Sequence, residues 1–301
     1  MSLLHPFRGH FHDAPRDAHR TSRVNLILVG IISLGLLGCQ SLSMGGSASP
    51  ASGSDASGSS RLQEILDSGT LRIGMTADQP PFNMKNKSGE IVGLDVDLMT
   101  ALAGSMRLEV EFVIMPFAKL LDALENNEVD MVASGMTITP QRNARVAFAG
   151  PYYITGKSVL TKSETLASVR RAEELDESKR SFAAVEGSTS ASFVREVLPR
   201  AKLVTTETHE VAVRMVLNDE VDAMVADHET CILAVWRNPE VELSALITPF
   251  TIEPLGIALP ANAPLLVNLV ENYLDALEIT GLLTQFKARW LNDGSWVQEL
   301  P

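Results

Sequence analysis

The sequence predicts an α/β protein made of two related units, each built on a mainly parallel sheet, and two observations lead to that prediction. From Arg61 onward, short apolar strand patterns alternate with amphipathic helix patterns, an order typical of parallel sheets with helical connections. In addition, ALENNEVDMVAS (123–134) and VLNDEVDAMVAD (216–227) share the order helix end, polar turn, Glu-Val-Asp, apolar strand and polar residue. Doubly wound sheets bind ligands beyond the carboxyl ends of their strands, so two facing units predict a cleft flanked by Ser134 and Asp227.

The individual elements follow from hydrophobic periodicity. In the first unit we expect a helix at 62–66, strands at 71–75, 108–115 and 129–133, and a helix at 117–126. A further helix is expected to be capped by Asp95, because apolar residues recur after it at helical spacing. In the second unit we expect strands at 181–187, 202–206 and 221–227 with helices after each, then a strand at 251–260 and helices at 264–281 and 282–291.

The N-terminal segment is expected to be a targeting and anchoring region outside the fold. The apolar run at 24–37 has 14 residues, whereas a helix that crosses a bilayer needs about 20. The run ends at Leu36–Cys39, which resembles the lipobox of bacterial lipoproteins and implies cleavage after residue 38 with a lipid on Cys39. The alternative is a plain signal peptide with a chance cysteine. Ser- and Gly-rich residues 39–60 are expected to be a flexible tether.

Composition excludes several function classes. With 37 acidic and 25 basic residues, the net charge of −12 does not suit a nucleic-acid-binding protein. The only histidines after residue 60 are His209 and His228, and neither has a second histidine four residues later, as a zinc-binding helix requires. We therefore predict no metal, no cofactor and no catalytic residue. Cys231 lies in an apolar stretch and is expected to be a buried free thiol.

The stretch SGMTITPQR (134–142) concentrates polar groups at the end of a predicted strand. Thr139 suits a helix N-cap and Pro140 the first helical residue, an arrangement that would direct Arg142 back toward the strand end. Gly135 would allow a ligand close to the backbone, and Thr137 adds a hydroxyl. Arginine and free N–H groups suit a carboxylate. The alternative for Arg142 is a surface salt bridge.

The second unit offers the complementary half of such a site. Ser188 to Ser190 are expected to open a helix whose free N–H groups could meet an anion. Asp227 ends a predicted strand and could bind a cation, or alternatively cap the next helix. A zwitterion needs both sets of groups, so together the two units predict a site for an amino acid or a similar zwitterion.

Residues 61–295 resemble the family 3 extracellular solute-binding proteins, which deliver polar amino acids to ABC importers. The resemblance lies in GLDVDLMTALAGSM (93–106), in SGMTITPQR followed by VAFAGPYY, and in EGSTSASF and VDAMVAD. It implies a monomeric, two-lobed periplasmic-binding-protein-like fold of type II, with two sheets joined by a two-strand hinge. Lobe 1 would be 61–154 plus 253–301 and lobe 2 would be 158–249. The partner would be a membrane permease, and the protein would lie outside the cytoplasm.

The resemblance also implies ligand roles. Arg142 would bind the α-carboxylate together with backbone N–H groups of Thr137 and Thr189. Asp227 would bind the α-ammonium with the Gly135 carbonyl and the Thr137 hydroxyl. Phe117 would stack on the ligand side chain, although core packing at a helix start is an alternative.

The loop after the first predicted strand, which contains ADQPPF (77–82), departs from the family pattern. Where the family usually has an aromatic residue, this sequence has Gln79. Asp78, Gln79, Thr76 and Ser134 could instead line a polar side-chain pocket, and Asp78 could pair with a cationic side chain or simply be a turn residue. The sequence does not predict which amino acid binds.

The sequence is also compatible with two other functions. Cyclohexadienyl dehydratases resemble these binding proteins and use a glutamate in the cleft as a general acid, a role that Glu229 could fill, whereas the alternative for Glu229 is a solvated helix residue. The third possibility is a ligand-sensing domain that acts on a separate partner.

Overall fold

The computed structural model describes residues 60–300. The predicted signal peptide, Cys39 and nearly all of the predicted tether lie outside these described residues. No helix within 60–300 combines the length and the apolar character that crossing a membrane would require.

Strands and helices alternate along the described residues. The first part contains α1 (Arg61–Ser68), β1 (Thr70–Met75), β2 (Asp78–Gln79), β3 (Asn83–Lys85), β4 (Ile91–Val92), α2 (Leu94–Ser105), β5 (Glu109–Ile114), α3 (Leu120–Glu125), β6 (Met131–Val132), α4 (Pro140–Asn143) and β7 (Ala147–Thr155). The second part contains β8 (Lys157–Thr161), α5 (Glu164–Ala167), β9 (Ser181–Val185), α6 (Thr189–Val197), β10 (Lys202–Thr206), α7 (His209–Leu217), β11 (Ala223–Asp227), α8 (His228–Arg237) and β12 (Ser244–Ala245). The chain then forms β13 (Glu253–Leu259), α9 (Pro264–Ile279) and α10 (Leu282–Lys287).

The strands form two five-stranded sheets of similar design. The first has the order β5-β1-β6-β13-β7 and the second β10-β9-β11-β8-β12. In each, three parallel strands are followed by one strand of opposite direction, β13 or β8, and then by an edge strand that pairs antiparallel with it. A small antiparallel sheet, β2-β3-β4, carries the loop after β1. The predicted pair of mainly parallel sheets is therefore confirmed, with antiparallel strands at one side of each.

Two segments connect the sheets and lie side by side. Gly156 links β7 to β8, and the segment 246–252 returns from β12 to β13. Lys157 donates its backbone N–H to the Thr251 hydroxyl (2.9 Å) and accepts the Phe250 N–H (2.8 Å). A Cβ atom at position 156 would lie 2.1 Å from the Thr251 carbonyl oxygen, so only glycine allows this close approach. The crossing segments thus form a two-stranded connection between the sheets.

The sequence repeat corresponds to a structural repeat. Asn127 and Asp219 both adopt left-handed backbone conformations (φ 60° and 58°) in the turn after a helix. Three residues later, the carboxylates of Asp130 and Asp222 accept backbone N–H groups from β1 and β9, at 2.8 and 2.7 Å. Both acids therefore tie the start of one strand to its parallel neighbour, which explains why the Glu-Val-Asp pattern occurs twice.

The prediction that Asp95 caps α2 is wrong. The helix begins at Leu94 after Gly93, which has a φ of 140°, and Asp95 lies inside the first turn without capping it. Its side chain is fully buried and accepts hydrogen bonds from Tyr152 in β7 and from Gly135, in the stretch 134–142 that we call the ligand loop after its predicted role. In contrast, Cys231 is buried and unpaired, as predicted.

Candidate functional site

The stretch SGMTITPQR (134–142) has the predicted local structure. Thr139 caps α4 by accepting the Arg142 N–H at 3.2 Å, and Pro140 is the first helical residue. Gly135 has a φ of 53°, a left-handed conformation that favours glycine. The short helix therefore turns the chain back and directs the Arg142 side chain toward the interior.

The Arg142 guanidinium lies where the two sheets meet. It is only 9% exposed, and it donates Nη1–H to the Thr137 carbonyl (2.8 Å) and Nη2–H to the Gly187 carbonyl (3.2 Å). Both partners are neutral, so the alternative of a surface salt bridge is wrong. Burial lowers the pKa of Arg142 to about 10, while the negative charges of Asp227 and Glu253 act in the opposite direction. With five N–H donors on a guanidinium, further donors remain for a carboxylate.

Phe117 lies against this arginine. Its ring centroid is 5.3 Å from the Arg142 Cζ, a cation–π distance. The side chain is also part of a hydrophobic cluster with Leu120 and Val132. Phe117 therefore supports the guanidinium as well as the core, and its proposed stacking on a ligand remains a prediction.

The start of α6 faces the same place from the second sheet. Ser188 is its N-cap and accepts the Ala191 N–H at 3.1 Å, as predicted. Thr189, the first helical residue, has its hydroxyl 3.3 Å from the Thr137 hydroxyl. The two predicted halves of the carboxylate site are therefore in contact.

Asp227 is buried at the end of β11, 5% exposed, and its side chain makes no cap hydrogen bond to α8. Instead, Oδ1 lies 2.5 Å from Lys157 Nζ and Oδ2 accepts from Gln79 Nε2 at 2.9 Å. Lys157 itself is only 2% exposed, and its Nζ is 3.7 Å from Glu253 Oε2. Lys157 was not among the predicted site residues, although a lysine at the start of the apolar strand β8 was a usable signal.

Gln79 fills the space between the two halves. It is 3% exposed, and a Cβ atom at Gly135 would lie 2.6 Å from its Nε2. The amide therefore spans from the Gly135 backbone to the Asp227 carboxylate. This is where the family resemblance places a ligand ammonium.

The side chains of Asp78 and Ser134 do not join Gln79 at the Asp227 carboxylate. Asp78 accepts the His209 N–H at the start of α7 (2.9 Å), with the imidazole Nδ1 at 3.7 Å. Burial acts to raise the pKa of Asp78, but its interactions with His209 and a hydrogen bond with Thr76 together outweigh that effect and lower it. Ser134 is fully buried and accepts the Thr76 N–H at 3.1 Å. Asp78 therefore links β2 to the start of α7, and Ser134 supports the loop after β1.

Asp95 is the positioning residue that sequence analysis misread. Its carboxylate accepts the Gly135 N–H (2.9 Å), the Asn83 amide (3.0 Å) and the Tyr152 hydroxyl (2.6 Å). Burial raises the pKa of Asp95, and these hydrogen bonds act against that rise. The carboxylate therefore fixes the backbone of the ligand loop from behind.

Glu229 is half-buried and hydrogen-bonded, so the alternative of a solvated helix residue is wrong. Its carboxylate accepts hydrogen bonds from the Tyr153 hydroxyl (2.7 Å) and from the Thr155 hydroxyl. Partial burial and the charge of Glu229 raise the pKa of Tyr153. The glutamate thus contacts the end of β7, next to its connection to β8.

Residues 71–293 match the family model of bacterial extracellular solute-binding proteins, family 3. The chain belongs to this family. Among curated relatives, an ABC transporter arginine-binding protein of Escherichia coli K12 is 27% identical and covers 73% of this chain and 90% of its own length. A cyclohexadienyl dehydratase of Pseudomonas aeruginosa is also 27% identical, over 77% of this chain and 86% of its own. Members of the family are extracytoplasmic binding proteins.

Solved structures agree with the fold. An ancestral amino-acid-binding protein, described as a precursor of cyclohexadienyl dehydratase, is 35% identical with a TM-score of 0.70, over 77% of this chain and 99% of its own. A putative ABC transporter binding component from Wolinella succinogenes, complexed with lysine, is 30% identical with a TM-score of 0.73, over 76% and 99%. The two-lobed type II fold of these binding proteins is therefore the fold of this chain.

Proposed function

We propose that this solute-binding protein captures an amino acid or a similar zwitterion between its two lobes and delivers it to an ABC importer. The observation that supports this most directly is Arg142. Its buried guanidinium donates to the carbonyls of Thr137 and Gly187, one from each side of the cleft, and has donors left for a carboxylate. The named relatives that bind amino acids support the size of the ligand.

Capture would proceed by hinge closure. In the proposed division, lobe 1 comprises 61–154 plus 253–301 and lobe 2 comprises 158–249. Pairs that join the two ranges include Gln79 with Asp227 and Thr137 with Thr189. Because each lobe supplies part of the site, a ligand that bridges them shifts the open–closed equilibrium toward the closed form.

Delivery would take place at a membrane surface. The lipobox-like Leu36–Cys39 and the Ser/Gly-rich residues up to 60 favour a lipoprotein tethered near its permease. We propose a monomer for this role. Mass spectrometry of the protein from its native membrane should find a diacylglycerol on Cys39, and a chain that still retains residues before Cys39 would contradict the lipoprotein form.

A ligand screen tests the proposed function. The chain from residue 40 onward would be heated with each standard amino acid and with the 2-oxo, 2-hydroxy and dicarboxylic acids of matching size. A bound ligand stabilises the native state by mass action, so at least one compound should raise Tm by several degrees in a concentration-dependent manner. If none of the compounds raises Tm, the proposal is contradicted.

A dehydratase is the second candidate, favoured by Glu229. This carboxylate lies two residues after Asp227 and accepts hydrogen bonds from Tyr153 and Thr155, and one similar structure is described as a precursor of cyclohexadienyl dehydratase. Incubation with arogenate or prephenate should yield phenylalanine or phenylpyruvate if this candidate is correct, and Glu229→Gln should abolish the yield. Saturable ligand binding without any product would favour the binding protein.

A further inference from the structure

The side-chain amide of Gln79 has one end satisfied and one end free. Nε2 donates to Asp227 Oδ2 at 2.9 Å, whereas Oε1 is buried and meets no donor among the described residues. The two ends cannot be exchanged, because a carboxylate oxygen accepts hydrogen bonds and therefore requires the NH₂ group. Gln79 is only 3% exposed, so its oxygen is a buried acceptor that costs free energy until a donor reaches it.

The amide turns one face toward the ligand loop. A Cβ atom at Gly135 would lie 2.6 Å from Gln79 Nε2 and 2.7 Å from both Cδ and Oε1, so the three atoms are nearly equidistant from it. Gln79 therefore contacts both Gly135 and Asp227, the two residues between which the resemblance places a ligand ammonium. The free oxygen lies in that same small volume.

The charges around this volume favour a cationic group. Asp227 and Glu253 are carboxylates, and the cation that contacts both is Lys157, at 2.5 and 3.7 Å. All three side chains are at most 12% exposed, so salt screens their charges weakly. Two carboxylates against one cation leave a single negative charge, while Arg142 is engaged by the ligand carboxylate in the proposed function. A ligand ammonium would neutralise the remaining charge.

We propose that Gln79 binds the α-ammonium of the ligand through Oε1 and thereby determines the preference for amino acids over acids that lack the amino group. This inference rests on the proposed function, in which Arg142 binds the carboxylate of the same ligand. An amide at this position supplies an acceptor that the aromatic residue usual in the family does not have. Asp227 positions the amide by accepting its N–H.

The other acceptors of the site remain available to the same ammonium. A carboxylate offers about four acceptor positions, and at Asp227 the described residues that occupy them are Lys157 and Gln79. The Gly135 carbonyl and the Thr137 hydroxyl are the further acceptors that the resemblance implies. Gln79 thus adds an acceptor without withdrawing Asp227 from the ligand, so its removal should weaken ammonium binding rather than strengthen it.

Calorimetry on matched pairs of compounds tests this contact in the wild type and in Gln79→Leu. Each pair is an amino acid and the acid that lacks only its α-amino group: arginine with 5-guanidinopentanoate, lysine with 6-aminohexanoate, glutamate with glutarate, and glutamine with glutaramate. Any other standard amino acid that raises Tm is paired in the same way. The ratio of the two Kd values cancels what both compounds share, and therefore reports on the ammonium alone.

The wild type should bind the amino acid more tightly than its partner compound. Gln79→Leu should lower that preference at least tenfold and leave the Kd of the acid without the amino group nearly unchanged. An unchanged preference would overturn the inference and leave the proposed function intact. A stronger preference would show that Gln79 competes with the ligand for Asp227, and would also overturn it. No binding by any standard amino acid would overturn both.

A control variant and a wild-type structure complete the test. Gln285→Leu is the matched control, because Gln285 is exposed on α10; its preference should equal that of the wild type. If Gln79→Leu fails to fold, a crystal structure of the wild type with the amino acid bound decides. Gln79 Oε1 should then lie about 2.7–3.2 Å from the ligand nitrogen. An Oε1 that bonds to water or to another group of the protein instead would overturn the inference.

Discussion

The carboxylate of Asp95 accepts the backbone N–H of Gly135 at 2.9 Å. Asp95 belongs to α2 and Gly135 to the loop that carries Arg142, so this bond fixes the ligand loop to a buried helix. Asn83 and Tyr152 donate to the same carboxylate. The position of the loop is therefore determined from the core, not by the residues that would touch a ligand.

Replacing Asp95 with Asn should loosen this loop. An amide presents one acceptor and one NH₂ group to three donors, so at least one buried donor loses its partner, which costs about 1–3 kcal/mol. Urea unfolding should show this loss in the free energy of unfolding. Asp67→Asn, on the exposed face of α1, should change it by less than about 0.5 kcal/mol. Equal effects of the two variants would contradict the positioning role.

Gly135→Ala should damage the site itself. The added Cβ would lie 2.6–2.7 Å from the Gln79 side-chain amide, and the φ of 53° disfavours a side chain. We expect a lower Tm and weaker ligand binding. Gly104→Ala is the matched control, because a Cβ there meets nothing within 4 Å and the residue lies in α2. It should stabilise the protein by about 0.5–1 kcal/mol. A Gly135→Ala variant that binds as the wild type does would refute this account.

The contact of Asp78 with His209 predicts a pH dependence. The pKa of Asp78 is lowered in the folded protein, so its contact stabilises the fold fully above the unfolded value of about 3.9. That contribution is lost as the pH falls through the folded pKa. The difference in Tm between wild type and Asp78→Asn should therefore shrink as the pH falls below about 4. Exposed Asp275→Asn serves as the control, and a difference that grows toward acid pH would be inconsistent with the contact.

The repeated turns predict a matched pair of effects. Asn127 and Asp219 both hold left-handed conformations, which burden a residue with a Cβ but not glycine. Asn127→Gly and Asp219→Gly should each leave stability unchanged or raise it by up to about 1 kcal/mol, whereas valine at either position should lower it by about 1–2 kcal/mol. Chemical denaturation of all four variants measures this. Opposite responses at the two positions would show that the repeat is not structural.

Local chemistry was readable from the sequence, whereas long-range pairing was not. Thr139 and Ser188 each cap a helix by accepting an N–H from three residues later, and Pro140 starts the helix that Thr139 caps, so these roles follow from residue type alone. Gln79 and Asp227 are 148 residues apart, and no periodicity indicates that they meet. For the same reason, Asp95 looked like a cap although its partners come from three distant segments. The roles of Asp95 and Asp227 therefore depend on tertiary packing and not on their neighbours in the sequence.

The role of Arg142 is the central claim, and calorimetry with the carboxylate that raises the wild-type Tm most tests it directly. Arg142→Ala removes charge-assisted hydrogen bonds worth about 3 kcal/mol or more, so Kd should rise at least about 100-fold. Arg145→Ala, three residues further along, removes an exposed arginine that pairs with Asp122 and Glu125 and should leave Kd within about twofold. A folded Arg142→Ala variant with wild-type affinity would contradict the account.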